Sequence, residues 1–109
     1  MRKYAIVVDA EAERDLDDIT AYIAEHDSIE RAIDVATKIE RSFAALTVFP
    51  NRGTHPKELL DYGNRDFREI HFKPYRIFYR VLQKQVVIVL IADGRRDMRT
   101  LLVRRLLGA

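Results

Sequence analysis

An unbroken apolar run at residues 86–92 constrains the fold of this chain more than any other stretch. The run is too short to span a membrane, and it lacks the alternation of a strand that has one face in water. It therefore predicts a central strand that is covered on both faces. Asp93 and Gly94 follow the run and predict a turn.

Residues 75–82 come just before this run, and their apolar residues alternate in position. A period of two indicates a strand with one apolar face and one partly polar face. The two stretches together predict neighbouring strands at the centre of the fold. One face carries Tyr75, Ile77, Tyr79 and Val81, and the other carries Arg76, Phe78, Arg80 and Leu82.

The N-terminal half predicts a short strand followed by two helices. Residues 4–8 are the strand, and Asp9 is placed to cap a helix that runs from Ala10 to about His26. Ser28 is the predicted N-cap of the second helix, and so short a connection requires an antiparallel hairpin. The predicted buried stripes are Ala12, Leu16, Ile19 and Ile23 in the first helix, and Ala32, Ile33, Ala36, Ile39, Phe43 and Leu46 in the second.

The segment after the second helix has no regular period. Residues 50–64 predict an irregular connection with one helical turn near residues 57–60. Residues 66–72 predict a strand that turns at Lys73 and Pro74, since proline is expected at a strand end.

The last predicted element is a helix at residues 98–107, capped by Asp97 and ended by Gly108. The full order is strand, helix, helix, strand, strand, strand, helix. It predicts an α+β fold in a single domain of residues 1–109. We expect a mostly antiparallel four-stranded sheet packed with the N-terminal helical hairpin, plus a short C-terminal helix.

The charges divide unevenly along the chain. Residues 1–64 carry 8 Lys and Arg against 13 Asp and Glu, a net −5, whereas residues 65–109 carry 11 against 4, a net +7. A basic half of this kind suggests an anionic partner, either a nucleic acid or an acidic protein surface. The alternative is that the two halves neutralise one another across the fold.

Composition and motifs exclude several classes of protein. The absence of cysteine excludes disulfides and thiol chemistry, and no secretory leader is visible, so we expect a cytoplasmic protein that does not associate with membranes. The common phosphate-binding, dinucleotide-binding and hydrolase signatures are missing, and the three histidines lack metal-ligand spacing. We therefore expect no cofactor and no metal, and a surface or capping role for His71. An acidic run on the first helix is expected to face water, at Asp15, Asp17 and Asp18.

Arginines in the second half are the candidate binding residues. Arg95 and Arg96 lie just before the last helix, where the helix dipole disfavours cations, so we expect something anionic to meet them. With Arg68, Arg76 and Arg80 on the neighbouring strands, these side chains can converge and pair with phosphate or carboxylate. The alternative is that they are solubilising residues lying over apolar surface. The candidate set for binding a target or a protein partner is Arg68, Arg76, Arg80, Arg95, Arg96 and Arg99.

Four segments together resemble the toxins of the RelE/ParE superfamily from bacterial type II toxin-antitoxin systems. They are AERDLDDITAYI in the first helix, FPNRG after the second, FREIHFKPYRIFYRV across the middle hairpin, and VVIVLIADGRRD before the last helix. Their order and spacing span nearly the whole chain. The resemblance implies a small toxin that inhibits growth and is held inactive by a cognate antitoxin, whose extended or helical tail wraps over it.

The superfamily divides by target. RelE-like members cut mRNA in the ribosome, whereas ParE-like members poison DNA gyrase and need no nuclease site. Arg76 and Arg96 stand where the RelE-like pattern has arginines, so they are the catalytic candidates if the chain is a ribonuclease. Leu102, however, stands in the place of a tyrosine, and the lysines expected on the preceding strand are missing.

The missing groups favour the ParE-like branch. Arginine stays protonated and cannot move a proton, and Tyr75 and Tyr79 alternate to the face opposite Arg76. The resemblance therefore implies a gyrase inhibitor that is not an enzyme, with a ribosome-dependent mRNA endoribonuclease as the alternative. A third hypothesis is a non-toxic binding module or a remnant of a plasmid-stabilisation system, against which the intact caps, stripes and strands argue.

Overall fold

Four strands form one mixed sheet, in the order β1-β4-β3-β2. A computed structural model describes residues 3–108. The strands are Ala5–Val8 (β1), Arg68–Phe72 (β2), Tyr75–Leu82 (β3) and Gln85–Asp93 (β4). β4 pairs with β1 in parallel, whereas the β4-β3 and β3-β2 pairs are antiparallel. The prediction of a mostly antiparallel α+β sheet with a central strand at residues 86–92 is confirmed.

The helices follow the predicted order. They are Ala10–His26 (α1), Ile29–Ala44 (α2), the single turn Lys57–Leu60 (α3) and Met98–Leu106 (α4), with a 3-10 turn at Ala45–Thr47. Across residues 3–108, no helix is both long enough and apolar enough to cross a membrane.

The three predicted N-caps are all present. The Asp9 carboxylate accepts the Ala12 N–H at 2.9 Å, and the Ser28 hydroxyl accepts the Arg31 N–H at 3.0 Å. Asp97 accepts both the N–H of Thr100 at 3.3 Å and its hydroxyl at 2.8 Å. Each cap satisfies a backbone donor that the first turn of a helix leaves unpaired, which fixes where α1, α2 and α4 begin.

The sheet is covered on both faces. The α1-α2 hairpin packs on one face, which we call the hairpin face, over a core that includes Val35, Ile39, Ile77 and Ile88. Helices α3 and α4 pack on the opposite face, which we call the α4 face, over Phe78 and Leu90. The run at residues 86–92 has no polar side chain because neither of its faces meets water.

The predicted buried stripe of α2 is wrong at one residue. Ile33 is 61% exposed, whereas Val35 is 2% exposed. The side of α2 that faces the sheet runs through Ala32, Val35, Ile39 and Phe43, spaced by three or four residues.

A β-bulge interrupts the pairing of β3 with β4. Phe78 pairs with Leu90 and Tyr79 pairs with Ile88, so Val89 has no partner. As a result Val89 and Leu90 both belong to the core on the α4 face. β1 ends with Val8 opposite Ile88, so the edge of β4 beyond Ile88 is not covered by a strand.

Truncation of the central strand tests this architecture. Leu90→Ala and Ile88→Ala are each expected to lower the free energy of unfolding by about 2 to 5 kcal/mol, because each removes a fully buried side chain and leaves a cavity. Leu82→Ala is the matched control, since Leu82 is exposed at the end of β3, and we expect a change within about 0.5 kcal/mol. Urea unfolding of the three variants measures the difference. Equal stability of all three would show that β4 is not central.

Candidate functional site

The six candidate arginines occupy separate parts of the surface. Arg76 and Arg80 lie on the α4 face of β3, about 13 Å apart along the strand. Arg68 pairs with Tyr79 at the far end of the β2-β3 hairpin from Arg95 and Arg96, which follow the end of β4. The expectation that these side chains converge is therefore wrong, because positions four residues apart on a strand cannot reach one anion.

Arg76 is held by two carboxylates. Its Nε and Nη2 donate to Glu69 at 2.8 and 2.7 Å, and its Nη1 and Nη2 donate to Glu58 at 2.9 and 3.0 Å. Glu58 and Glu69 keep only 12% and 6% of their side-chain surface. The hydrogen bonds that Arg76 donates to Glu58 and Glu69 raise the pKa of Arg76 above its ordinary value. Four of the five N–H groups of this guanidinium are therefore bound by the two carboxylates, which leaves one Nη1 N–H for any other acceptor.

Leu102 and the two strand tyrosines place no proton-transfer group beside Arg76, whereas His55 and His71 line the same shallow cleft as its guanidinium. Leu102 is fully buried in the α4-face core. Tyr75 and Tyr79 pack with the hairpin-face core, as their alternation predicted. Burial raises the pKa of each tyrosine hydroxyl above its usual value, and the charge of Asp93 adds to this effect at Tyr75.

The histidines are held individually. His71 is exposed and its Nε2 lies 2.6 Å from Glu69, as expected for a surface role, while Nδ1 of His55 lies 3.0 Å from the Phe67 carbonyl. His26 stacks on Tyr22 with ring centroids 4.1 Å apart. Within residues 3–108, no three His, Asp or Glu side chains are placed to hold a metal ion together.

Arg95 and Arg99 have partners within the chain. Arg95 donates to the Asp93 carboxylate through Nε at 2.9 Å, and this hydrogen bond lowers the pKa of Asp93. Arg99 pairs with Asp61 at 2.6 Å. Thus the anion that meets Arg95 is a residue of this chain. Arg96 is exposed and forms no ion pair with any residue between 3 and 108.

A cleft of about 560 Å³ lies between α1 and the uncovered edge of β4. Ile19 and Ile23 of α1 line it, with Tyr22 and Tyr75 among its aromatic residues, and Arg96 lies at the α4 end. An apolar lining with a few polar groups at its border is the usual character of a binding cleft.

The backbone of β4 is partly unpaired in this cleft. The Ile91 N–H donates to Asp15 of α1 at 3.1 Å, so the polar groups of Ile91 point away from β3. In an antiparallel ladder these groups alternate in direction, and therefore the Ile91 carbonyl and the Asp93 N–H also point away from β3. Neither has a hydrogen-bond partner outside the ladder within residues 3–108.

Asp15 has a structural role that the sequence prediction missed. It was expected on a solvated helix face, but it forms a bidentate ion pair with Arg105 of α4 at 3.1 and 3.0 Å. Arg105 also pairs with Glu11 at 3.0 Å and donates to the Val89 carbonyl at 3.1 Å. The pair thus occupies the edge of β4 where β1 has ended.

The uneven charges of the two halves are partly neutralised across the fold. Arg76 pairs with Glu58, Arg99 with Asp61, and Arg105 with Glu11 and Asp15. In each case a basic residue of the second half meets an acid of the first. Part of the basic excess is therefore structural, and the remainder lies on arginines without such partners.

Arg68 and Arg80 lie beside the loop of residues 50–55. Arg68 donates to the carbonyls of Gly53 at 2.8 Å and Asn51 at 3.2 Å. The guanidinium of Arg80 lies 5.3 Å from the Phe67 ring centroid, a cation-π contact. Both residues line one cleft of about 280 Å³ together with Arg65.

Comparison with known proteins agrees with this fold and this order of motifs. Residues 6–98 match the family model described as ParE toxin of type II toxin-antitoxin system, parDE. The chain is 30% identical over 84 residues to Toxin ParE3 of Caulobacter vibrioides, covering 77% of this chain and 80% of that protein.

Two solved structures share the fold. One is from the chromosomal ParDE toxin-antitoxin system of P. aeruginosa, with a TM-score of 0.70, 19% identity, and coverage of 84% of this chain and 96% of that one. The other is from the RelBE2 toxin-antitoxin complex of Mycobacterium tuberculosis, with a TM-score of 0.58, 22% identity, and coverage of 85% and 93%. The family model and the Caulobacter relative carry the assignment: this chain belongs to the ParE toxin family of type II toxin-antitoxin systems.

Proposed function

We propose that this toxin inhibits growth by poisoning DNA gyrase and is neutralised by a cognate antitoxin. The observation that carries the choice of target is the state of Arg76, which donates four of its five N–H groups to Glu58 and Glu69. A ribonuclease of the RelE type would need this cation free to stabilise a phosphate and a second group to move a proton. Arg76 instead connects α3 to the sheet.

A gyrase assay tests the target. Purified toxin is expected to block supercoiling of relaxed plasmid or to accumulate cleaved plasmid with gyrase, and to leave mRNA intact in a purified translation mixture. Arg96→Ala is expected to weaken the inhibition roughly tenfold or more without loss of fold, because Arg96 is an exposed cation free to anchor an interface. Arg104→Ala, which replaces an exposed arginine of α4, is the matched control. Site-specific mRNA cleavage with gyrase unaffected would reject the proposal.

The cleft between α1 and β4 is the proposed site for the antitoxin. Its uncovered edge offers the Ile91 carbonyl and the Asp93 N–H to an extended segment, which would pair as an added strand. Ile19 and Ile23 would contact apolar side chains of that segment. An acidic side chain on the same segment would meet Arg96, and a basic side chain would meet Asp18, the other charged lining residue without an ion pair within residues 3–108.

A comparison of two tyrosines of similar exposure tests whether the antitoxin binds in this cleft. Tyr22, which is 63% exposed and lines the cleft, is the test residue, and Tyr62, which is 55% exposed after α3, is the control. Tyr22→Ala is expected to weaken binding of the purified antitoxin roughly tenfold or more, because a large aromatic side chain at an interface centre carries much of the affinity. Isothermal titration calorimetry measures both variants. Equal losses for Tyr22→Ala and Tyr62→Ala would place the antitoxin elsewhere.

A further inference from the structure

Five arginines surround the loop of residues 50–55. They line two clefts that share this loop, of about 500 and 280 Å³. We call this region the loop-50 basic surface. Its members are Arg41 near the end of α2, Arg52 in the loop, Arg65 before β2, Arg68 in β2 and Arg80 in β3.

None of the five arginines of this surface forms an ion pair with a residue of the described part of the chain. Arg41, Arg52 and Arg65 are exposed and form no ion pair within the described part of the chain. The Arg80 Nε is buried without any hydrogen-bond partner there. Two acids line the same clefts, and one of them, Glu69, is already bound by Arg76. The surface therefore has exposed guanidinium groups that are available to pair with an external anion.

The loop that carries this surface is fixed. The Tyr79 hydroxyl donates to the Pro50 carbonyl at 2.8 Å and accepts the Gly53 N–H at 2.9 Å. The backbone of Thr54 pairs with Glu69 at the edge of β2. A side chain at Gly53 would come within 2.6 Å of the Tyr79 hydroxyl and 2.7 Å of the Glu69 carbonyl, so only glycine fits there. A cation on such a loop binds a ligand with little additional ordering cost.

An exposed aromatic ring adjoins the basic surface. Phe49 is 63% exposed and lines a shallow depression together with Arg52. An acidic protein surface could pair with the arginines, but single-stranded nucleic acid repeats an anion and a flat base at every nucleotide. Nucleic acid offers both groups, because phosphates pair with guanidinium in bidentate fashion and an unstacked base packs on an aromatic ring.

We propose that the loop-50 basic surface binds the phosphodiester backbone of a nucleic acid, with Phe49 stacking on an unpaired base. The site is separate from the cleft assigned to the antitoxin, and it does not depend on gyrase being the target. A toxin with this surface can hold nucleic acid while the cleft between α1 and β4 is free or occupied.

Fluorescence anisotropy with labelled oligonucleotides, and with no other protein present, tests the site. The probes are single-stranded DNA, RNA of the same sequence and the corresponding DNA duplex, each titrated over a range of salt. Removing two phosphate contacts in the double variant Arg52→Ala, Arg65→Ala is expected to reduce the dependence of log K on log salt by about 2, and to weaken binding by more than tenfold near physiological salt. The matched control is Arg14→Ala, Arg104→Ala, which changes the net charge equally on other helices.

Each outcome decides the proposal. A loss confined to the Arg52 and Arg65 double variant supports the site, and the tighter of DNA and RNA identifies the ligand. Phe49→Ala is expected to weaken single-strand binding about fivefold or more and to leave duplex binding unchanged. Equal losses of affinity in both double variants would show that only the net charge matters, and this result would reject the site. Competition by polyglutamate as effective as that by unlabelled DNA would identify an acidic protein surface as the partner and also reject it.

Discussion

Replacing Arg76 by alanine is expected to lower the free energy of unfolding by about 3 to 5 kcal/mol, because it leaves two carboxylates without their cation on a largely buried surface. Glu58 lies on the single turn α3 and Glu69 on β2, so Arg76 joins two elements across the α4 face. The guanidinium also covers the Phe78 ring at 5.1 Å. Urea unfolding gives the loss directly, with the exposed and unpaired Arg96→Ala as control.

The same ion pairs make part of the stability depend on pH. Hydrogen bonds from Arg76 hold the pKa of Glu58 below its ordinary value. A group whose pKa is lower in the folded state stabilises the fold above its unfolded pKa and loses that contribution as the pH falls through the folded value. The difference in stability between the parent and Arg76→Ala is therefore expected to shrink in acid, below the ordinary carboxyl range.

A compensated variant distinguishes structural loss from catalytic loss. Combining Arg76→Met with Glu58→Gln and Glu69→Gln removes the buried charges together and is expected to recover much of the stability. If Arg76 is structural, this variant keeps its growth inhibition. A stable variant that no longer inhibits growth, paired with mRNA cleavage by the parent, would instead make Arg76 a catalytic residue.

Local sequence signals predicted the elements of this fold well. Asp9, Ser28 and Asp97 begin helices because a carboxylate or hydroxyl at those positions satisfies donors within three residues. The turn at Lys57–Leu60 and the apolar run in β4 follow from equally local patterns. Such predictions succeed because the interacting groups are close together in sequence.

The failures concern contacts between distant segments. Helical spacing alone could not show whether Ile33 or Val35 is buried at the border of the inner side of α2. The position of the sheet against α2 determines which of the two is buried. The bulge at Val89 depends on how β3 and β4 twist together. The grouping of Arg68 and Arg80 with Arg65 and the loop of residues 50–55 could not be derived from the sequence, because that loop has no period from which its position follows.

Asp15 shows most clearly what sequence patterns leave out. On a helix a carboxylate between Arg14 and Leu16 looks like part of the solvated acidic run. Its role follows only from β1 ending one residue before the bulge, which leaves the Val89 carbonyl and the Ile91 N–H without a neighbouring strand. Arg105 and Asp15 bond these two groups, so an ion pair takes the place of a strand at this edge.

Asp15→Ala is accordingly expected to lower the free energy of unfolding by about 3 to 5 kcal/mol, since it leaves Arg105 with only Glu11 and the Val89 carbonyl, and the Ile91 N–H with no side-chain acceptor among residues 3–108. Asp15 and Arg105 are only 17% and 16% exposed. Burial lowers the pKa of Arg105, but the hydrogen bond to Asp15 and the charges of Asp15, Glu11 and Asp9 together raise it above its usual value. Asp17→Ala, an exposed carboxylate on the same helix, is the control and should change stability by no more than about 0.5 kcal/mol.

Asp15→Asn separates the two contributions of this side chain. The amide oxygen can still accept the Ile91 N–H, whereas the charge that holds Arg105 is lost. We therefore expect Asp15→Asn to have a free energy of unfolding between those of the parent and of Asp15→Ala. Hydrogen exchange should follow the same order, with the Ile91 amide of Asp15→Ala exchanging fastest because local opening of this edge costs least there. If Asp15→Ala and Asp17→Ala proved equally stable, with unchanged exchange at Ile91, the ion pair would not be replacing a strand, and the edge of β4 would be held by its pairing with β3 alone.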